Sequence, residues 1–218
     1  MELLYSDDRI AVCIKPAGVV ATDEPGGMPE LLRDALGCES VRSVHRLDRV
    51  VGGVMVYALT RRAASDLGSQ MQNGGFRKEY LAVVHGCPRE PQGTMRDHLL
   101  RDTAKRKSFL ASEDTPGAQE ANLDYRFQGT SGGLSLLSIR LYTGRTHQIR
   151  CQLSGRGMPI VGDRKYGWPE DDCAIALWSC GLSFLHPRTG ERLSFARMPE
   201  QTYPWMIFRE KFPGATYL

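Results

Sequence analysis

Alternating apolar and polar positions divide this chain into short strands punctuated by turns, with three helical stretches between them. Leu3-Leu4-Tyr5 and Arg9-Ile10-Ala11-Val12-Cys13-Ile14-Lys15 flank the turn Ser6-Asp7-Asp8 and predict a hairpin, which Pro16-Ala17-Gly18 breaks. Pro29 to Leu36 predicts a short helix, with Gly37 as its stop. Val54-Met55-Val56-Tyr57, preceded by two glycines, reads as a strand. Thr60 then caps a helix from Arg61 to about Gln72, which Asn73-Gly74-Gly75 ends. Lys78 to Gly86 is a second apolar strand, and Pro88 to Gly93 a loop. A basic stretch at 101–107 leads to another loop, Glu113 to Gly117. Leu123 to Phe127 and Leu134 to Tyr142 alternate well, and the glycine-rich run 129–133 joins them as a hairpin. After the turn at Thr143-Gly144, Thr146 is the expected N-cap of a helix running to about Ser154. Gly162-Asp163 and Tyr166-Gly167 mark loops. Leu182 to Leu185 and Arg192 to Phe195 form a last hairpin around Pro187 to Gly190. The expectation is an α+β fold, a mainly antiparallel mixed sheet with flanking helices, forming a single domain over residues 1–218.

Composition adds limits rather than an answer. Hydrophobic residues make up 41% and charged residues 24% of 218 positions, as in ordinary globular chains. The net charge of +3 gives no bulk argument for a polyanionic partner, but its distribution does. Between positions 140 and 165, Arg140, Arg145, Arg150, Arg156, Arg164 and Lys165 face the single acid Asp163. Arg101, Lys105, Arg106 and Lys107 have only Asp102 beside them. The six cysteines form no C-x-x-C pair, which argues against a zinc site and a disulfide framework, so no metal is expected. Reduced cysteines without a signal peptide suggest a cytoplasmic protein. No apolar run approaches the ~18 residues that would span a bilayer, so no membrane association is expected.

The chemistry centres on His45-Arg46-Leu47-Asp48-Arg49, a carboxylate between arginines on a loop that feeds a strand. Taken alone, an aspartate beside an arginine is an ordinary exposed ion pair of little energetic value. With no second carboxylate and no serine elbow nearby, Asp48 suits nucleophilic or electrostatic work better than metal binding. Tyr80 in isolation is an ordinary strand tyrosine. The run Thr143-Gly144-Arg145-Thr146-His147-Gln148-Ile149-Arg150 says more: basic and polar side chains surround a helix start suited to a phosphate or developing anion.

Together these residues carry a resemblance. His45-Arg46-Leu47-Asp48, Lys78-Glu79-Tyr80-Leu81-Ala82, Thr143 to Arg150, and Pro159-Ile160-Val161-Gly162-Asp163 followed by Tyr166-Gly167 resemble the RluA-type RNA pseudouridine synthases. Lys15-Pro16-Ala17-Gly18 and Leu185-His186-Pro187-Arg188-Thr189-Gly190 extend the likeness over nearly the whole chain. The resemblance implies the pseudouridine synthase catalytic fold and isomerisation of uridine to pseudouridine in rRNA or tRNA, without a cofactor. It implies Asp48 as catalytic aspartate, Tyr80 stacking on the base and aiding proton removal from carbon 5, and Arg150 pairing with the aspartate. Arg46 matches the arginine that enters the space a flipped nucleotide leaves. His45, Arg145, Thr146, His147 and Gln148 are the other expected substrate-binding residues. The chain is expected to act as a monomer.

Two departures stand out. Val51 and Gly52 occupy positions where the family usually has threonine and serine. The synthase motifs also begin at residue 2, so no S4 RNA-binding domain is expected ahead of them and affinity should come from the catalytic domain. Two rival readings remain: a non-catalytic RNA-binding module that keeps the fold, and a small-molecule hydrolase or lyase using the helix start as an anion site. The chain has no G-x-S-x-G elbow and no phosphate-loop motif to support the latter.

Overall fold

The structure, a computed structural model, describes residues 1–211. These form two compact units: one from Met1–Glu79 with Trp178–Pro199, the other from Tyr80–Leu177 with the segment that begins at Glu200.

In the first unit, β1 (Glu2–Ser6) and β2 (Ile10–Lys15) form the expected antiparallel hairpin. Asp7 closes its turn, accepting the Arg9 and Ile10 N–H groups at 2.7 and 2.9 Å. α1 (Met28–Leu36) ends at Gly37, whose φ of 61° lies in the left-handed region that glycine enters without penalty. After the two-residue β3 (Arg42–Ser43) comes β4 (Gly52–Ala58), buried along its whole length. α2 (Arg61–Gln72) starts as the sequence predicts, with the Thr60 hydroxyl accepting the Ala63 N–H at 3.1 Å. β10 (Leu177–Leu185) and β11 (Arg192–Ala196) complete the unit as an antiparallel hairpin. The sheet order is β1-β2-β4-β10, with β11 on β10 and β3 on β4; β10 runs parallel to β4, which makes the sheet mixed. Ile10, Val12, Val54, Val56, Ala58, Leu182 and Phe184 form one buried layer with Ala63 and Leu67 of α2 and with Phe76. Those helix positions are four apart, the spacing that places one face on a sheet.

The second unit holds β5 (Arg77–His85), β6 (Gln92–Asp102), β7 (Lys107–Ala111), β8 (Gln119–Ser131), β9 (Leu134–Leu141), α3 (Gln148–Ser154) and a 3-10 helix, Trp205–Lys211. Its sheet runs β5-β9-β8-β6-β7. Gly132 and Gly133 turn β8 into β9 with φ of 60° and 76°, the paired positive values of a two-residue hairpin loop. β6 and β7 are strands that the periodicity does not predict. Only Met95 and Leu99 of β6 are buried, because this hairpin ends the sheet and most of its side chains meet water. The basic stretch 101–107 is the end of β6 and the turn into β7.

Candidate active site

Asp48 heads a tight turn that delivers the chain into β4, its carbonyl accepting the Val51 N–H at 3.0 Å. Lys15 holds this turn. Its fully buried ammonium donates to the carbonyls of Pro16 (2.8 Å), Val19 (2.7 Å) and Arg49 (3.1 Å), which uses all three of its protons. Gly18 N–H donates to Arg49 O at 2.8 Å, and Arg49 Nε returns a bond to Gly18 O, also at 2.8 Å. Burial pulls the Lys15 ammonium down to about 8, against the opposing pull of the negative Asp48. A buried cation therefore lies within electrostatic reach of the aspartate.

His45 fixes the other side of the loop. Its Nε2 accepts the Val56 N–H of β4 at 3.1 Å, and its ring packs 5.5 Å from that of Phe76. Burial, and then the charge of Lys78, push its pKa down to about 3, so the imidazole is neutral at physiological pH. Arg46 is exposed. At the mouth of β4, a Cβ added to Gly52 would lie 2.5 Å from the Trp178 ring, and one added to Gly53 would strike the backbone of Ser179. The indole, anchored by Nε1 donating to Arg197 O at 2.7 Å, fills the space a hydroxyl-bearing side chain would need at position 52.

In the second unit, Tyr80 is buried on β5, and Arg150 on α3 is only 4% exposed. Arg150 grips Asp163 with two parallel bonds, Nε to Oδ2 at 2.8 Å and Nη2 to Oδ1 at 2.7 Å. Asp163 Oδ1 also accepts the N–H groups of Lys165 (2.9 Å) and Tyr166 (3.2 Å). Burial works to raise the Asp163 pKa, but Arg150 and these bonds prevail and hold it below the usual carboxylate value.

The entrance to α3 differs from expectation. Thr146 is not its N-cap: His147 precedes the helix in the left-handed region, φ 54°, and no side chain caps it. Instead the buried Gln148 folds back, its Oε1 accepting Thr143 Oγ1 at 2.7 Å and the Arg145 N–H at 3.1 Å. Its Nε2 donates to Asn122 O at 3.2 Å, and Arg145 Nε donates to Glu120 O at 2.8 Å. These bonds brace the loop that leads into α3 rather than cap the helix. The basic run is also less bare than its sequence. Arg156 meets Asp97 at 2.9 Å and Arg164 meets Asp172 at 3.6 Å, both acids remote from the local charge count.

A model of the RNA pseudouridylate synthase family matches residues 9–155 of the chain. The chain belongs to the RNA pseudouridylate synthase family. It is 32% identical over 230 residues to an uncharacterized RNA pseudouridine synthase of Synechocystis, covering 98% of this chain and 70% of that protein. It is 30% identical over 223 residues to ribosomal large subunit pseudouridine synthase D of Zymomonas mobilis, covering 92% and 70%. Human RNA pseudouridylate synthase domain containing 4 shares the fold, with a TM-score of 0.77 at 20% identity over 96% of this chain and 92% of that one. The protein is thus an RNA pseudouridine synthase, an isomerase.

Two buried groups of the synthase were not singled out as site residues from the sequence. Lys15 reads as the last residue of a strand, and nothing in its neighbours announces burial. Asp163 reads as the lone acid of a basic run, and that solitude was the available signal: an acid among so many cations has a partner within reach. Among the described residues no group of three His, Cys, Asp or Glu side chains is placed to hold a metal ion. None of the described helices is long and apolar enough to cross a membrane.

Proposed function

We propose that Asp48 is the catalytic group of this synthase, with Tyr80 supporting the uracil ring and Arg150 as the basic residue of the site. The observation that carries this reading is the Asp48 turn itself, held by a fully buried lysine that spends every proton on backbone carbonyls. Such a clamp costs a desolvated charge, and functional loops are where that cost is tolerated. In the reaction the bond from N1 of uracil to the ribose breaks, a bond from C5 forms, the C5 proton leaves and N1 gains one. A carboxylate at the sugar or base face carries or stabilises the transient species, and Tyr80 assists loss of the C5 proton.

The substrate is a structured RNA, rRNA or tRNA, whose target base is flipped out at a cost of a few kcal/mol. Stacking on Tyr80 returns ~1–3 kcal/mol of it. Arg46 enters the space the nucleotide leaves. His45, Thr146, His147 and Gln148 serve by holding the two loops in place, and Arg145 and the β6–β7 turn contact phosphates. The hairpin carries Arg101, Lys105, Arg106 and Lys107, and the ammonium groups of Lys105 and Lys107 lie 5.5 and 5.8 Å from the ring of the 38% exposed Phe109, a basic surface with an aromatic suited to RNA.

The test is Asp48→Asn in a tritium-release assay on RNA labelled at carbon 5 of uridine, beside a binding assay with the same RNA. The substitution is nearly isosteric but removes the charge and nucleophile. Pseudouridine formation should become undetectable while RNA affinity stays within about tenfold, roughly 1.4 kcal/mol. Turnover at the wild-type rate would exclude Asp48 as catalyst.

A further inference from the structure

Tyr166 has no part in the roles above, yet its bonds and ring contacts join several parts of the second unit. Its hydroxyl accepts the Ser108 N–H of β7 at 2.7 Å and donates to Ser108 O at 3.1 Å. The same oxygen lies 3.0 Å from Nδ1 of His147, the residue with left-handed backbone just before α3. Its backbone N–H donates to the carboxylate that grips Arg150. Its ring lies 5.2 Å from the Arg150 guanidinium carbon and 4.6 Å from the Lys107 ammonium. The basic turn is tied to the same segment twice more: Lys107 Nζ donates to Lys165 O at 2.7 Å, and Lys165 Nζ to Arg106 O at 2.5 Å. One side chain thus touches the strand after the basic turn, the strained residue before α3, and the arginine on α3.

We infer that Tyr166 is a positioning residue that couples RNA contact at the β6–β7 turn to the placement of Arg150. The inference rests on the proposed roles of the turn and of Arg150, and deepens them. A phosphate drawn to Lys107 or Arg106 shifts the turn, and Tyr166 passes the shift on because its hydroxyl is bound on the turn side and its ring covers the guanidinium. Correct RNA then improves turnover, not only affinity. The left-handed His147 is the strained point that such a link holds in place.

Tyr166→Phe separates coupling from packing, since it keeps the ring over both cations and removes only the hydroxyl links to Ser108 and His147. Single-turnover rates at saturating RNA, RNA affinity and thermal melting are measured for wild type, Tyr166→Phe, Lys107→Met and the double variant. The saturated rate of Tyr166→Phe should fall about tenfold with affinity within about twofold, and Lys107→Met should slow the wild type yet add no more than about twofold to the Tyr166→Phe loss. A Tyr166→Phe enzyme that melts earlier but turns over normally when saturated would reduce the residue to packing and overturn the inference. Losses that multiply in the double variant would overturn it equally. Asp48→Asn run in parallel, abolishing the rate with affinity within about tenfold, keeps the catalytic reading separate from this outcome.

Discussion

At the scale of single residues, two pairs decide how the site is built. At Gly52, Trp178 occupies the space that a side chain would need. Gly52→Ser should overpack that neighbour and cost about 1–3 kcal/mol in urea unfolding. Trp178→Ala in the same chain should recover most of the loss, and independent effects of the two changes would contradict the steric account. The second pair is Arg150 and Asp163, 4% and 1% exposed. Asp163→Asn leaves a buried guanidinium without its bidentate anion, a change typically worth about 3–5 kcal/mol. Chemical denaturation should report that loss, and a neutral result would mean that water already reaches the pair.

At the scale of elements, the sheet explains why the proposed RNA surface is a hairpin turn. The β6–β7 hairpin ends its sheet, so its turn is free to carry Arg101, Lys105, Arg106 and Lys107 without crowding a neighbouring strand. α3 packs against it closely: a Cβ on Gly155, at the end of that helix, would strike Leu110 of β7. If Lys105 and Lys107 bind phosphates, replacing both by alanine should lower the slope of log affinity against log salt by about 1.4, or ~0.7 for each single-stranded phosphate no longer neutralised. An unchanged slope would remove the turn from the footprint. The arginines of 140–165 should contribute less, because Arg150, Arg156 and Arg164 already have acidic partners.

For the whole molecule, buried titratable groups shape the dependence of stability on pH. His45 has its pKa pushed down to about 3 from an ordinary 6.5. Between those values the unfolded chain binds a proton that the folded chain refuses, so stability falls as pH drops through the window. Asp163, also held below its ordinary value, adds loss in the same direction at more acidic pH. Lys15, drawn down to about 8 from 10.5, acts on the alkaline side: there the folded chain releases its proton first, and stability rises with pH. Melting temperature measured from pH 7 to 4 should therefore decline, and His45→Gln should flatten the upper part of that decline. A His45→Gln profile parallel to that of wild type would show that the imidazole is hydrated and titrates normally.

The sequence by itself determined the elements whose signals are local. The Asp7 turn, the Thr60 cap, the Gly37 stop and the paired glycines 132 and 133 each act through backbone geometry within a few residues. It also placed Asp48, Tyr80 and Arg150 within motifs whose order carried the family. Tertiary structure decided the rest. β6 is a strand because β8 offers it a hydrogen-bonding edge, and β7 because β6 does, which polar sequences with few buried side chains do not advertise. The loop before α3 is braced by Gln148 rather than capped by Thr146, with Asn122 of β8 offering its carbonyl to the Gln148 amide. The burial of Lys15 and Asp163 is completed by partners from further along the chain: Arg49, 34 residues from the lysine, joins the nearby Pro16 and Val19 carbonyls, and Arg150 lies 13 residues from the aspartate. A charge is stable out of water only with its counter-charge or acceptors in place, and the full set of them is fixed by packing, not by neighbours in sequence alone.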